Sequence, residues 1–88
     1  MAKPRIITEE TKQIMIRFYS ALDALIEKKE LKGVNTYCRL YNIDRRNLLA
    51  QRKDLDRAIL QISWMQPIVK DFGVSGDWLL TGRGAMFK

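Results

Sequence analysis

Histidine is absent from this sequence and cysteine occurs once. Without them no disulfide framework, no zinc site of cysteine and histidine, and no histidine-based triad can be assembled. No apolar run approaches the ~20 residues of a membrane-spanning helix, and the opening stretch MAKPRIITEE lacks the apolar core of a secretory leader. A reducing, cytoplasmic location is the expectation. Glycine-rich phosphate loops, internal repeats and low-complexity segments are missing as well. A chain of 88 residues makes one domain, able to bury only about 60–65% of its unfolded surface. That leaves little room for a catalytic cavity, and no nucleophile is paired with a base. Nothing points to an enzyme, a cofactor, a metal or a small-molecule ligand.

What the sequence does have is positive charge, unevenly placed. Sixteen Lys and Arg against ten Asp and Glu give +6 and a pI near 9.8, a balance that favours an acidic partner. Residues 28 to 57 hold nine basic and four acidic side chains, whereas the first 27 residues hold four of each. Nearly all the excess therefore lies in the middle third. The neutral first segment has no net charge with which to attract an anionic membrane surface.

Apolar periodicity predicts helices throughout. After Pro4, Thr8 is a plausible cap and Glu9 and Glu10 suit the first turn of a helix. Ile14, Phe18, Ala21, Leu22 and Leu25 then recur at three- and four-residue steps. Lys28, Lys29 and Gly33 close this first helix. Asn35 is the expected cap of a short second helix ending near Tyr41, and Asp44 that of a third running to about Lys53. Residues 54 to 62 fit neither helical nor strand period; an irregular connection is expected there, laying Leu55, Ile59 and Ile62 on the core. Ser63 with Gln66 reads as a capping box for a fourth helix, in which Pro67 is tolerated near the start. Gly73 ends it, and Ser75 caps a fifth, stopped by Gly82 and Gly84. The expected fold class is all-α, with five helices in one domain spanning 1–88.

The stretch TYCRLYNIDRRNLLAQRKD meets the requirements of two helices crossing through a tight turn. Cys38 supplies the small residue at the crossing, between Tyr37 and Tyr41. Asn42 tolerates a left-handed backbone better than any residue but glycine. Ile43 plugs the angle, Asp44 caps, and Leu48 anchors the second helix inward. Arg45, Arg46, Asn47, Leu49 and Ala50 are left facing outward. A helix–turn–helix of this kind places its second helix in the major groove, where arginine matches guanine and asparagine matches adenine.

Residues 35 to 53 resemble the helix-turn-helix of phage repressor and Cro-like DNA-binding domains. The tail FGVSGDWLLTGRGAMF resembles the end of the same domain in phage and bacterial regulators, where a G-V-S-x-x-W-L-L-x-G-x-G-x-M pattern recurs. The resemblance implies a five-helix, lambda-repressor-like domain that binds operator double-stranded DNA as a homodimer and regulates transcription. By position it implies base contacts from Arg45, Arg46, Asn47 and Ala50. It implies phosphate contacts from the segment around Asn35 and Thr36, and from Arg52 and Lys53. The departures are Asn42 for the usual glycine, Cys38 for alanine, and Val34 where a phosphate-binding glutamine often stands.

Other roles remain open for some of these residues. Cys38 is expected to be a small core residue, and Trp64 and Trp78 to pack rather than stack on bases. Leu49 is divided between a thymine methyl, a dimer surface and no role. An alternative function is a protein–protein module such as an antitoxin, anti-repressor or phage adaptor, using Leu49, Met65 or Met86 as part of an apolar patch.

Overall fold

The computed structural model describes residues 9–55 and 61–88. The protein is all-α, and among those residues five helices follow in order: α1 (Glu9–Glu27), α2 (Val34–Leu40), α3 (Arg45–Lys53), α4 (Ile62–Lys70) and α5 (Gly76–Thr81). The expected cap Thr8 and the expected core position Ile59 lie outside the described residues. No described helix is long and apolar enough to cross a membrane.

The long helix α1 is the spine. Met15, Phe18, Tyr19, Ala21, Leu22 and Leu25 are its buried residues, a stripe of three- and four-residue steps. Ile14, expected on that stripe, is only half-buried. With Phe18, Leu22 and Leu25 at its centre, Met15 and Tyr19 fall closer to the middle than Ile14 does. α4 and α5 pack on this spine, while α2 and α3 pack on each other. Leu31, Tyr37, Cys38, Ile43, Leu48, Trp64, Ile68, Val74 and Leu79 complete the core. Tyr37 is its aromatic hub, 6.3 Å from Phe18, 5.1 Å from Tyr41 and 6.3 Å from Phe72 between ring centroids. Its hydroxyl donates to the Trp64 carbonyl. Trp64 is buried as expected, whereas Trp78 is half-buried against the core.

The starts of α2 and α4 differ from expectation, while α1 closes at the expected Lys28 and Lys29. α1 stops at Glu27, before Gly33, because Lys29 adopts a left-handed backbone (φ 65). The Lys29 amide then donates to Ile26 and the Glu30 amide to Leu25, the bond pair that closes a helix with a left-handed residue just past its end. α2 begins at Val34 after Gly33, with no side-chain cap; Asn35 is already inside the helix and its side chain turns elsewhere. α4 begins at Ile62 after Gln61, again without a side-chain cap. Ser63 therefore lies in the first turn and donates to Gln61 Oε1 at 3.4 Å in place of the expected capping box. Pro67 is consequently further into the helix than expected and removes one amide donor from its middle.

Ile62, expected on the core, is 79% exposed, because the helix starts there and points its first residue outward. Leu55 does pack against the core. At the other end Ser75 caps α5 as expected, its Oγ accepting from the Trp78 amide at 3.2 Å. Gly82 ends the helix in the left-handed region (φ 79), with the Arg17 guanidinium packed where a side chain would project. Arg17 Nε in turn donates to the Leu79 carbonyl at 2.8 Å. The chain then folds back: the Ser75 amide donates to Met86, the Lys88 amide donates to Gly73, and Val74 and Phe87 form an isolated antiparallel bridge.

Lys29 holds a conformation that an L-residue adopts at a cost of about 1–2 kcal/mol, part of which glycine would return in unfolded-state entropy. Lys29→Gly is expected to raise stability by about 0.5–1 kcal/mol, read from urea unfolding midpoints. A fall in stability would contradict the left-handed closure of α1.

Candidate nucleic-acid interface

The segment joining α2 to α3 follows from four consecutive residues. Tyr41 ends α2, and Asn42 takes the left-handed region at φ 54. The Ile43 amide then donates to the Cys38 carbonyl at 2.9 Å, and Ile43 is buried beneath the bend. Asp44 accepts from the Arg46 and Asn47 amides at 2.9 and 3.2 Å, satisfying two of the donors that a helix start leaves open. The expected turn, plug and cap are therefore all where the sequence placed them.

α3 has a buried edge and an exposed one. Leu48 is fully buried, and so is Gln51, the only buried polar side chain of the described core. The polarity of Gln51 speaks against burial, yet its place three residues after Leu48 puts it on the inward edge. Tyr19 donates its hydroxyl to Gln51 Oε1 and lies 3.3 Å from the Leu48 carbonyl. Gln51 Nε2 in turn donates to Met15 Sδ at 2.6 Å. Burial pushes the Tyr19 hydroxyl well above its ordinary pKa, against the opposing pull of Arg52. These bonds fix the rotation of α3 on α1.

That rotation turns Arg45, Arg46, Asn47, Leu49 and Lys53 to solvent, with Ala50 half-buried. Arg45 Nη1 donates to Asn35 Oδ1 at 2.9 Å, so the start of α2 and the start of α3 meet at one point. Shallow grooves flank Arg45 on three sides. One is lined by Lys32, Val34, Asn35, Thr36 and Leu49, a second by Cys38, Arg39, Asn42 and Ile43, and a third by Asp44, Arg46 and Leu49. Six of the eight expected site residues, Asn35, Thr36, Arg45, Arg46, Asn47 and Ala50, thus lie at or beside the first turns of α2 and α3. Lys53 stands two turns further along the exposed edge.

Arg52 is the exception. Its guanidinium is paired with Asp23 on α1 and lies 5.5 Å from the Tyr19 ring centroid. It braces α3 from behind instead of joining the outward set. Lys28, another basic residue of the middle third, is drawn away too: it sits 3.4 Å from Glu30 and 3.9 Å above the Phe87 ring. Lys32 and Arg39, which sequence reasoning counted only as charge, line the grooves beside Arg45. The available signal was their position just before α2 and on its last turn. Burial raises the Cys38 thiol pKa, with Arg45 opposing and Asp44 reinforcing; its place under the turn is that of a small packing residue.

No family model matches this chain, and no curated protein or solved structure does so either. What the surface can do therefore follows from its own chemistry. Among the described residues neither Arg45 nor Arg46 forms an ion pair, yet both stand at the positive end of a helix dipole, an arrangement that favours anions.

The buried Tyr19–Gln51 pair yields a double test. Tyr19→Phe leaves the Gln51 carbonyl oxygen buried without its donor and is expected to cost about 1–3 kcal/mol in urea unfolding. Adding Gln51→Met to that variant should recover most of the loss, since removing both partners leaves nothing unsatisfied. Additive losses would show that the pair does not hold α3 in this way.

Proposed function

We propose that α2 and α3 form a helix-turn-helix of the phage repressor and Cro type that binds double-stranded DNA sequence-specifically, as part of a transcriptional regulator. The observation that carries this is the outer edge of α3. Two arginines that form no ion pair among the described residues crowd its positive end, on a helix whose other edge is locked to the core. A polyanion placed against that edge relieves the repulsion at the helix start and supplies acceptors for both guanidinium groups.

In this reading α3 lies in the major groove. Arg45, Arg46 and Asn47 meet base edges, with Ala50 a turn further along, where its small side chain allows close approach. The start of α2, with Asn35 and Thr36, and the end of α3, with Lys53, lie against phosphates; Lys32 is added to them on its position. Arg52 reaches a phosphate only by leaving Asp23, so its first role is to brace α3. A second copy of the chain occupies the second half-site, one helical turn of DNA away, with α5 and residues 81 to 88 as the proposed dimer surface.

A second reading is favoured by one feature. Ile62, Met65, Val69, Leu79 and Leu80 line an apolar groove between α4 and α5, and Ile62 and Leu80 are 79% and 58% exposed. Such a patch suits an apolar protein partner. Met86, by contrast, is packed against the core.

Two substitutions separate base reading from phosphate binding. Arg46→Ala should cost about 1–3 kcal/mol at the preferred site and relax one base preference. Lys53→Ala should weaken preferred and random duplexes alike and lower the salt slope by about one. Equal losses on both duplexes for both variants would refute the division of roles.

A further inference from the structure

The edge of α3 assigned above to the major groove carries one large apolar side chain. Leu49 is 39% exposed, and the other exposed large apolar side chains among the described residues, Ile16, Leu40, Ile62 and Leu80, all belong to other helices. On the surface of α3 its neighbours at three- and four-residue spacing are Arg45, Arg46, Arg52 and Lys53. It lines both the groove shared with Lys32, Asn35 and Thr36 and the one shared with Asp44 and Arg46. Leu49 thus stands between two shallow grooves, on the edge that also carries Arg45, Arg46 and Lys53.

A major groove offers such a side chain a single apolar group, the methyl on C5 of a pyrimidine. Arg45 and Leu49 are one helical turn apart, with Cβ atoms separated by about 5–6 Å. Successive bases along a strand are about 3.4 Å apart. With the Arg45 guanidinium on the two acceptors of a guanine, Leu49 lies over a base pair one or two steps away. Arg45 is already set in direction by its bond to Asn35, so the pair can act as a unit.

We propose that Leu49 reads the 5-methyl group of a pyrimidine within two base pairs of a guanine held by Arg45, making a guanine with a nearby 5-methylpyrimidine the core of the preferred duplex. The inference rests on α3 entering the major groove, and it names the substrate feature that this edge selects. The methyl group can come from thymine or from 5-methylcytosine, and Leu49 reads the methyl in either.

The test begins with duplexes selected by the full chain from a random library. Each thymine of the enriched site is replaced in turn by deoxyuridine, which removes only the methyl. One replacement near a guanine should weaken binding by about fourfold, the effect of one buried methylene-sized group. Leu49→Ala should bind the parent site more weakly and show less than about half of that uracil penalty on a logarithmic scale. At the same position a 5-methylcytosine–guanine pair should bind the wild-type chain better than an unmethylated cytosine–guanine pair, and Leu49→Ala should lose that preference. Indifference of the wild-type chain to uracil at every position overturns the proposal, as does a full penalty that survives in Leu49→Ala. An enriched site with neither effect sinks the Leu49 inference alone. A library that yields no enriched site overturns the groove-reading function itself, and the inference with it.

Discussion

Every side chain on the outer edge of α3 takes its position from what the inner edge meets. Leu48 fills the core, and Gln51 is buried beside it with both ends of its amide engaged, by Tyr19 and by Met15. A buried amide is costly unless fully satisfied, so this contact admits one rotation of α3 and resists sliding. Arg52, paired with Asp23 of α1, holds the same helix from its last turn. The turn at Asn42 sets the other coordinate, the angle at which α3 leaves α2. Together the two constraints fix where the outer edge of α3 points: the first lies wholly in the core, and the second is the turn residue Asn42 at the rim of the groove beside Arg45.

The electrostatic arrangement depends on that mechanical one. The positive excess of the middle third does not spread evenly over the molecule. Lys28 is taken up by Glu30 and Phe87, and Arg52 by Asp23, while Arg45, Arg46 and Lys53 stay on one edge. Asn35 orients Arg45 without neutralising it. The acidic residue at that corner, Asp44, spends its Oδ1 on two backbone amides of α3. Local order and cationic character therefore coexist at the start of α3, which suits binding to an anionic partner better than a mobile basic tail would.

The all-α class and the α2–turn–α3 geometry were legible in the sequence where a position tolerates few residue types. Asn42 in a left-handed turn, Ile43 beneath it, Asp44 as cap and Leu48 inward all answer to stereochemistry within a few residues. Ser75 and Gly82 around α5 are of the same kind. Sequence and structure part where a residue has two local uses or where distant partners decide. Asn35 can cap a helix or hold an arginine, and Arg45 ten residues later settles it. Ser63 has the residue type of a cap, but the chain enters the helix two residues earlier, after Gln61. Lys29 takes a turn conformation that glycine would be expected to hold. Arg52 and Lys53 are adjacent in sequence and alike in charge. Only Asp23, 29 residues from Arg52 along the chain, separates their positions in space. Gln51 lies three residues from Leu48 on the inward edge, but nothing local names Tyr19 and Met15 on α1 as the partners that let a polar side chain be buried there.

Whether the outer edge of α3 engages phosphates at all comes before any question of sequence. The most direct measurement is titration of random-sequence duplex DNA into the labelled full chain at salt concentrations from about 50 to 200 mM. Binding in the micromolar range at the low end, with an affinity that falls steeply and linearly on logarithmic axes, is the predicted result. No binding at the lowest salt, or binding indifferent to salt, would contradict the account and transfer attention to the apolar groove between α4 and α5.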